Sequence, residues 1–288
     1  MKNFKKQLFA AVLCAMLAAN ASAAPVSSYD FPNDHDEFEG ITDGFTINNG
    51  FHNSIFLGKL STTCTFGLPI TYISPELENV EANTLVFSMK SKYSSDEAII
   101  EVKIKSENGE QNFSMPLSDT NARVYTVKFD KTAVTGYEIF VNAIPENNDM
   151  YNVELEFAHL YDTDTLVHFS IGENFALING EKKELDAPAF IAENRTLTPA
   201  RFVAESLGAD VAWDNDERKV TVTKGDTEII MYIDSTTAYI NKEAITLDSA
   251  PIIRDSRTYT PARFVAEALG AEVSWDDYSK TVIIEAMK

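Results

Sequence analysis

The chain has 288 residues, 44% of them hydrophobic, and carries 44 acidic against 24 basic side chains for a formal charge of −20. That length and apolar content support two cores of ordinary domain size. A charge so negative excludes nucleic acid and anionic membrane surfaces as partners, because repulsion opposes both.

The first segment reads as an export signal. Lys2, Lys5 and Lys6 precede an apolar run from Leu8 to Ala19, and Ala21-Ser22-Ala23 supplies the small residues a signal peptidase accepts. Residues 1–23 are thus expected to be removed, with Ala24 as the new N-terminus. The run is shorter than the roughly 20 apolar residues a spanning helix needs, so no integral membrane segment is expected in the mature chain. Cys14 follows Val12 and Leu13 rather than small residues, which disfavours lipid attachment, and it leaves with the signal. Cys64 is then alone, forms no intramolecular disulfide, and reads as a buried strand residue. The expected location is extracellular, secreted or held non-covalently at the cell surface.

Residues 24–163 show strand periodicity. Leu85–Met89, Ala98–Ile104, Val124–Phe129, Gly136–Val141 and Val153–Phe157 alternate as half-buried strands. Turn material at Ser106–Gly109, Pro116–Asp119 and Pro145–Asp149 separates them. That spacing predicts an antiparallel β-sandwich. Acidic groups open and close this region. Asp30, Asp34 and Glu37 at its start and Asp162 at its end are the candidate ligands of a structural calcium ion, provided the first and last strands lie together. The alternative is a solvated acidic surface. Tyr72, Tyr93, Phe113, Tyr125, Tyr137 and Tyr151 are available to stack on sugar rings, although most are expected in the core.

The polar stretch at Asp162–Asp164 marks a boundary, and residues 164–288 contain a duplication. Arg195-Thr-Leu-Thr-Pro-Ala-Arg-Phe-Val-Ala-Glu-Ser-Leu-Gly-Ala-Asp-Val-Ala-Trp213 returns as Arg257-Thr-Tyr-Thr-Pro-Ala-Arg-Phe-Val-Ala-Glu-Ala-Leu-Gly-Ala-Glu-Val-Ser-Trp275. Fifteen of 19 positions are identical at an offset of 62, and Ile178-Asn179 pairs with Ile240-Asn241 at the same offset. The repeats span about 176–225 and 238–287.

Within each copy the residues predict strands around one short amphipathic helix. Thr198 and Thr260 are the expected caps, Pro199 and Pro261 the first helical residues, and Gly208 and Gly270 the left-handed stops. Arg201 and Glu205, like Arg263 and Glu267, are four apart and can pair along the helix. Arg195 and Arg257 are placed to reach that glutamate or a strand carbonyl. Trp213 and Trp275 are expected to seal the helices by covering Phe202 and Phe264. Each unit is too small to fold alone, so the two should share a core, with strands of one completing the sheet of the other.

The Arg-Thr-x-Thr-Pro-Ala-Arg-Phe-Val-Ala-Glu-x-Leu-Gly-Ala-x-Val-x-Trp signature resembles the copper amine oxidase N-terminal-like domain, a stalk module of surface and secreted proteins of Gram-positive bacteria. The resemblance implies a twisted antiparallel sheet cradling a short helix in each repeat. It does not imply oxidase chemistry, which in that family lies in a separate domain with three copper-binding histidines. Here His35, His52, His159 and His168 show no paired metal-ligand spacing. Residues 24–163 resemble, on the segment Tyr29–Asp34 with Phe38-Glu39-Gly40 and the closing strand into Tyr161-Asp162, the galactose-binding-like jelly rolls that serve as carbohydrate-binding modules.

No nucleophile elbow, zinc-binding His-Glu-x-x-His or phosphate loop occurs in the sequence. The expectation is a non-catalytic exterior protein without a cofactor. Its double repeat is a stalk or interaction unit, and its sandwich contacts cell-wall or other glycan, or an envelope protein. The alternatives are a dedicated carbohydrate-binding protein and an enzyme with an unrecognised site.

Overall fold

The computed structural model of the chain describes residues 27–30, 45–48, 51–56, 59–64, 69–91, 98–117, 121–142 and 151–287. These fall into two compact units that divide between Asp162 and Thr163.

Alternating apolar positions make the first unit a set of strands. They are β1 (Ser27–Asp30), β2 (Thr46–Asn48), β3 (Phe51–Phe56), β4 (Lys59–Cys64), β5 (Ile70–Ile73), β6 (Val80–Ser91), β7 (Ile99–Ser106), β8 (Gly109–Pro116), β9 (Arg123–Asn142) and β10 (Tyr151–Tyr161). One layer runs β2-β5-β9-β7-β8. The other runs β9-β6-β10, with β4 and β1 sharing the far edge of β10 and β3 beyond β4.

β9 belongs to both layers, and here the sequence misleads. Val124–Phe129 and Gly136–Val141 read as two strands because Asp130 and Lys131 interrupt the alternation. They form one strand of 20 residues. It pairs with β6 from Met89↔Arg123 to Val80↔Val134, with a bulge between Thr84↔Lys128 and Ala82↔Thr132. From Val134 onward it pairs with β7, and Glu138 to Val141 also pair with β5. The exposed Asp130 and Lys131 sit in the bulge, and the handover from β6 to β7 falls at Val134.

Leu85, Phe87 and Met89 of β6 and Val127 of β9 face Tyr72, Ile100, Val102, Ile104 and Ile139, and all are buried. The Tyr72 hydroxyl donates to the Val153 carbonyl oxygen at 3.3 Å and so ties the layers together. The fold is an antiparallel, jelly-roll-like β-sandwich. The turn predicted at Ser106–Gly109 closes the β7–β8 hairpin. The turns at Pro116–Asp119 and Pro145–Asp149 fall largely or wholly outside the described residues.

The second unit is two copies of one string of elements. The first copy holds β11 (Thr165–Ser170), β12 (Phe175–Ile178), β13 (Glu181–Glu184), β14 (Phe190–Ala192), β15 (Arg195–Pro199), α1 (Ala200–Ser206), β16 (Asp210–Asp214) and β17 (Lys219–Lys224). The second holds β18 (Thr227–Tyr232), β19 (Thr237–Ile240), β20 (Glu243–Thr246), β21 (Ile252–Arg254), β22 (Arg257–Pro261), α2 (Ala262–Ala268), β23 (Glu272–Asp276) and β24 (Thr281–Ala286). Every boundary is displaced by the same 62 residues as the sequence motif. The structural repeat begins at Thr165 and Thr227, upstream of the residues whose identity reveals it.

The copies exchange strands. One five-stranded sheet is β13-β12-β11-β24-β23 and the other is β16-β17-β18-β19-β20. Each takes three strands from one repeat and two from the other. A central ribbon, β14-β15-β22-β21, joins the copies. In it Thr198 pairs with Thr260, its own equivalent, so a pseudo-twofold axis passes between them. Val167, Phe202, Val203, Val222, Val265 and Ile284 contribute to a single core drawn from both repeats. The expected sharing of sheets is what the strand order shows.

Candidate functional site

Of the four candidate calcium ligands in the sandwich, only Asp30 and Asp162 lie among the described residues. Asp34 and Glu37 lie outside the described residues. β1 does lie beside β10, as the calcium reading required, but its register places Asp30 opposite Phe157 and Ser27 opposite Leu160. Asp30 therefore points its end of β1 away from Asp162. Five strand steps separate their positions, about 16 Å at roughly 3.3 Å per residue. Asp162 instead takes an ion pair from Lys131. Among the described residues no group of three or more His, Cys, Asp or Glu side chains is arranged to hold a metal.

The four candidate sugar-stacking rings among the described side chains pack in the core. Tyr72 and Tyr137 are buried, and Phe113 and Tyr125 pack against the same cluster. Tyr125 stacks on Phe87 with centroids 5.3 Å apart. Tyr93 lies outside the described residues, as does the side chain of Tyr151.

A different ladder, missed in the sequence, runs along the opposite face of β10. Phe157 stacks on His159 at 4.6 Å, and the His159 Nδ1 lies 3.1 Å from the Tyr161 hydroxyl. The register continues each ring across the layer: Phe157 to Ser88 and Val124, His159 to Val86 and Thr126, Tyr161 to Thr84 and Lys128. The alternation Phe157-x-His159-x-Tyr161 was legible once β10 was known to extend to Tyr161. This face is buried too, with Val86 and Ser88 at 0% exposure. Ser88 Oγ donates to Glu156 at 3.2 Å, and Lys128 Nζ donates to Asn83 at 3.3 Å.

In the double repeat, some recurrent motif residues are engaged in the fold and others face solvent. α1 and α2 each have Pro199 or Pro261 at the N-cap, with no side-chain capping bond. Thr198 and Thr260 are buried ladder residues of the ribbon, not caps. The helix starts one residue later than the sequence predicts, because the strand pairing at the axis holds both threonines extended. Gly208 and Gly270 do end the helices, at φ of 76° and 83°. Their N–H groups donate to Glu205 and Glu267 carbonyls, and the next residues, Ala209 and Ala271, donate to Ala204 and Ala266. Both ends are Schellman closures.

Arg195 reaches across the axis. Its Nε and an Nη lie 3.0 and 2.9 Å from one Asp248 oxygen, and a further Nη donates to the Asn194 carbonyl at 3.0 Å. Arg257 is exposed. Arg263 Nε lies 3.9 Å from Glu267. Burial, opposed by Arg263 and aided by Asp248, raises the Glu267 carboxyl above its ordinary range. Arg201 and Glu205 both face solvent. Asn179 and Asn241 hold strand ends: their side-chain oxygens accept from Leu166 and Glu228 N–H groups at 2.9 and 2.8 Å.

The tryptophans are not equivalent. Trp275 packs on the shared core and donates to Asp277 at 3.3 Å. Trp213 is 37% exposed, so the expected seal over Phe202 is absent; Phe202 meets Phe169 edge-on at 5.2 Å instead. Ile191 and Ile253 occupy the same place in each repeat, on the outer strands of the ribbon, and are 49% and 45% exposed. They present a repeated apolar contact point. Of the four histidines, His159 and His168 have described side chains, and His168 is buried, which pushes its pKa down to about 3.

The sequence matches the copper amine oxidase N-terminal domain family over residues 150–221 and again over 177–284. A protein described as a protease inhibitor, from Brevibacillus choshinensis, is 33% identical over 108 residues, which are 38% of this chain and 33% of that protein. The match thus spans about a third of that relative's length. Among solved structures, a variant of the family 29 carbohydrate-binding module CBM29-2 is similar at 12% identity and a TM-score of 0.33, over 46% of this chain and 85% of the module. A CBM4 structure is similar at 12% identity and a TM-score of 0.30, over 41% of this chain and 95% of that one. The repeated motif, the element strings displaced by 62 residues and the family matches coincide: residues 150–284 match the copper amine oxidase N-terminal domain, and the matched region is internally duplicated.

Proposed function

We propose that the protein is a non-catalytic exterior binding protein. Residues 1–23 direct export and are removed, the double repeat is a rigid stalk and interaction unit, and the sandwich contacts cell-wall glycan or another envelope component. The observation that carries this reading is where the recurrent polar residues go. Thr198 and Thr260 pair at the axis, Asn179 and Asn241 close strands, and Arg195 bridges the repeats. A module in which these recurring polar groups serve its own architecture behaves as a scaffold, with the exposed Ile191 and Ile253 as contact points. Pull-down of the mature chain on purified cell wall tests it. Retention that weakens when Ile191 and Ile253 become Ser or when competing glycan is added supports the reading, and passage of the wild-type chain without retention overturns it. N-terminal sequencing of exported protein should begin at Ala24; retention of Lys2 would rule out the processing step.

A second reading is inhibition of a protease, favoured by the Brevibacillus choshinensis relative. Titration of secreted serine and metalloproteases with the mature chain, followed by residual activity, decides between them.

A further inference from the structure

The two places where strands of different repeats join side by side are the same joint made twice. In one sheet β17 pairs with β18 from Lys224↔Thr227 to Lys219↔Tyr232. In the other β24 pairs with β11 from Ala286↔Thr165 to Thr281↔Ser170. Subtracting 62 from the second-repeat residues and adding it to the first-repeat residues converts one set of six pairs into the other. The flanking ladders agree as well: Glu272↔Glu285 matches Asp210↔Thr223, and Phe175↔Glu184 matches Thr237↔Thr246. One difference separates the joints. β17 runs into β18 through Gly225-Asp226, whereas β24 and β11 have no covalent link at the joint.

The β24–β11 joint forms in the same register between strands far apart in the chain, so adjacency through a turn is not the only way to reach this pairing. The ribbon adds a self-complementary contact, Thr198 opposite Thr260, of the isologous kind found in twofold dimers. We propose that the double repeat is an exchangeable dimerisation surface whose partner is a second copy of this chain. The first repeat (165–224) of one copy docks with the second (227–286) of the other, and Gly225-Asp226 opens as the hinge. Every strand pair and every core contact of the closed unit is then reproduced between chains. The hinge alone changes, which is the low-cost route to a dimer. Gly225 has a φ of 55° in the closed turn and open space where a Cβ would stand, so the turn holds the chain reversal by its backbone conformation rather than by packing.

Deleting Gly225 and Asp226 from the mature chain leaves β17 and β18 unable to reverse on each other. Light scattering should then show the mass of the main species doubled, with the far-ultraviolet circular dichroism of the wild type. A folded monomer would overturn the proposal. A second measurement does not depend on that variant folding. In a Cys64→Ser background, T198C and T260C are made in separate chains, unfolded together, refolded at high concentration and oxidised. Antiparallel partner positions lie within disulfide reach. Peptide mapping should find a disulfide linking the two different chains, and each variant refolded alone should give none. Chains that refold to the wild-type circular dichroism spectrum without that cross-link would show that the repeats recognise only their covalent neighbour.

Discussion

The two five-stranded sheets of the double repeat have the same strand order and register but opposite surroundings. Toward the shared core they match. Val167 and Phe169 face it in one sheet, Ile229 and Met231 in the other, and all four are buried. On the far side they diverge. Leu166, His168, Ile283 and Glu285 are buried, while their counterparts Glu228, Ile230, Thr221 and Thr223 are partly or fully exposed. β24 is buried along its whole length, whereas β17 alternates. Duplication therefore fixed the backbone and the inner surface, where a change in one copy disturbs both, and left the outer surface free to acquire its own chemistry.

If the inner faces are equivalent, their truncations must be too. Phe169→Ala should destabilise the module by about 3–5 kcal/mol and Met231→Ala by about 2–5 kcal/mol, the ranges for buried side chains of those sizes. Loss in one and indifference in the other, by denaturant unfolding, would break the equivalence. Next come the tryptophans, where the comparison predicts inequality. Trp275→Ala removes a ring packed on the core and a hydrogen bond to Asp277, and should cost at least about 1 kcal/mol more than Trp213→Ala. Equal melting temperatures would restore the symmetric reading.

The helix ends should again behave alike. Gly208 holds a positive φ with open space around its missing Cβ, so Gly208→Ala meets backbone strain of about 1–2 kcal/mol and no clash. Gly270→Ala should cost the same in the same thermal assay. Most particular is the acid response of His168. Burial depresses its folded pKa from 6.5 to about 3, so the unfolded chain takes up a proton first as pH falls. The stability present above pH 6.5 is then lost between about 6.5 and 3, at up to roughly 1.4 kcal/mol per pH unit. His168→Ile, which installs the counterpart found at Ile230, should flatten that limb of the melting curve between pH 7 and 5. An unchanged slope would place the acid sensitivity elsewhere.

Much of the repeat was legible because its signals are local. The glycine that ends each helix, the Ile-Asn pairs and the 62-residue offset needed no tertiary information. What escaped depended on pairing between copies. Thr198 has the composition of a cap, yet the partner that holds it extended is Thr260, reached only when both repeats are folded. Trp213 and Trp275 are identical in the motif, and their environments differ because the sheets around them do. In the sandwich, strand periodicity gave the class. It could not reveal that Asp130-Lys131 is a bulge inside one strand rather than an end, since a charged pair reads the same in a bulge and in a loop. Asp30 and Asp162, both offered for calcium, are set apart by the β1–β10 register, which no composition encodes.

The pairing of terminal strands has a mechanical consequence. β1 and β10 are antiparallel with Ser27 beside Leu160, and β11 and β24 are antiparallel with Thr165 beside Ala286. In both units the first and last residues of the fold emerge at one end of a single strand pair. Tension applied through those residues would load the rungs one after another from that end, peeling the strands apart, instead of loading all rungs together in shear. Each unit is therefore stiff under loads applied to its faces yet opens at low force when pulled by its two ends, and its rungs can re-form when the pull is released.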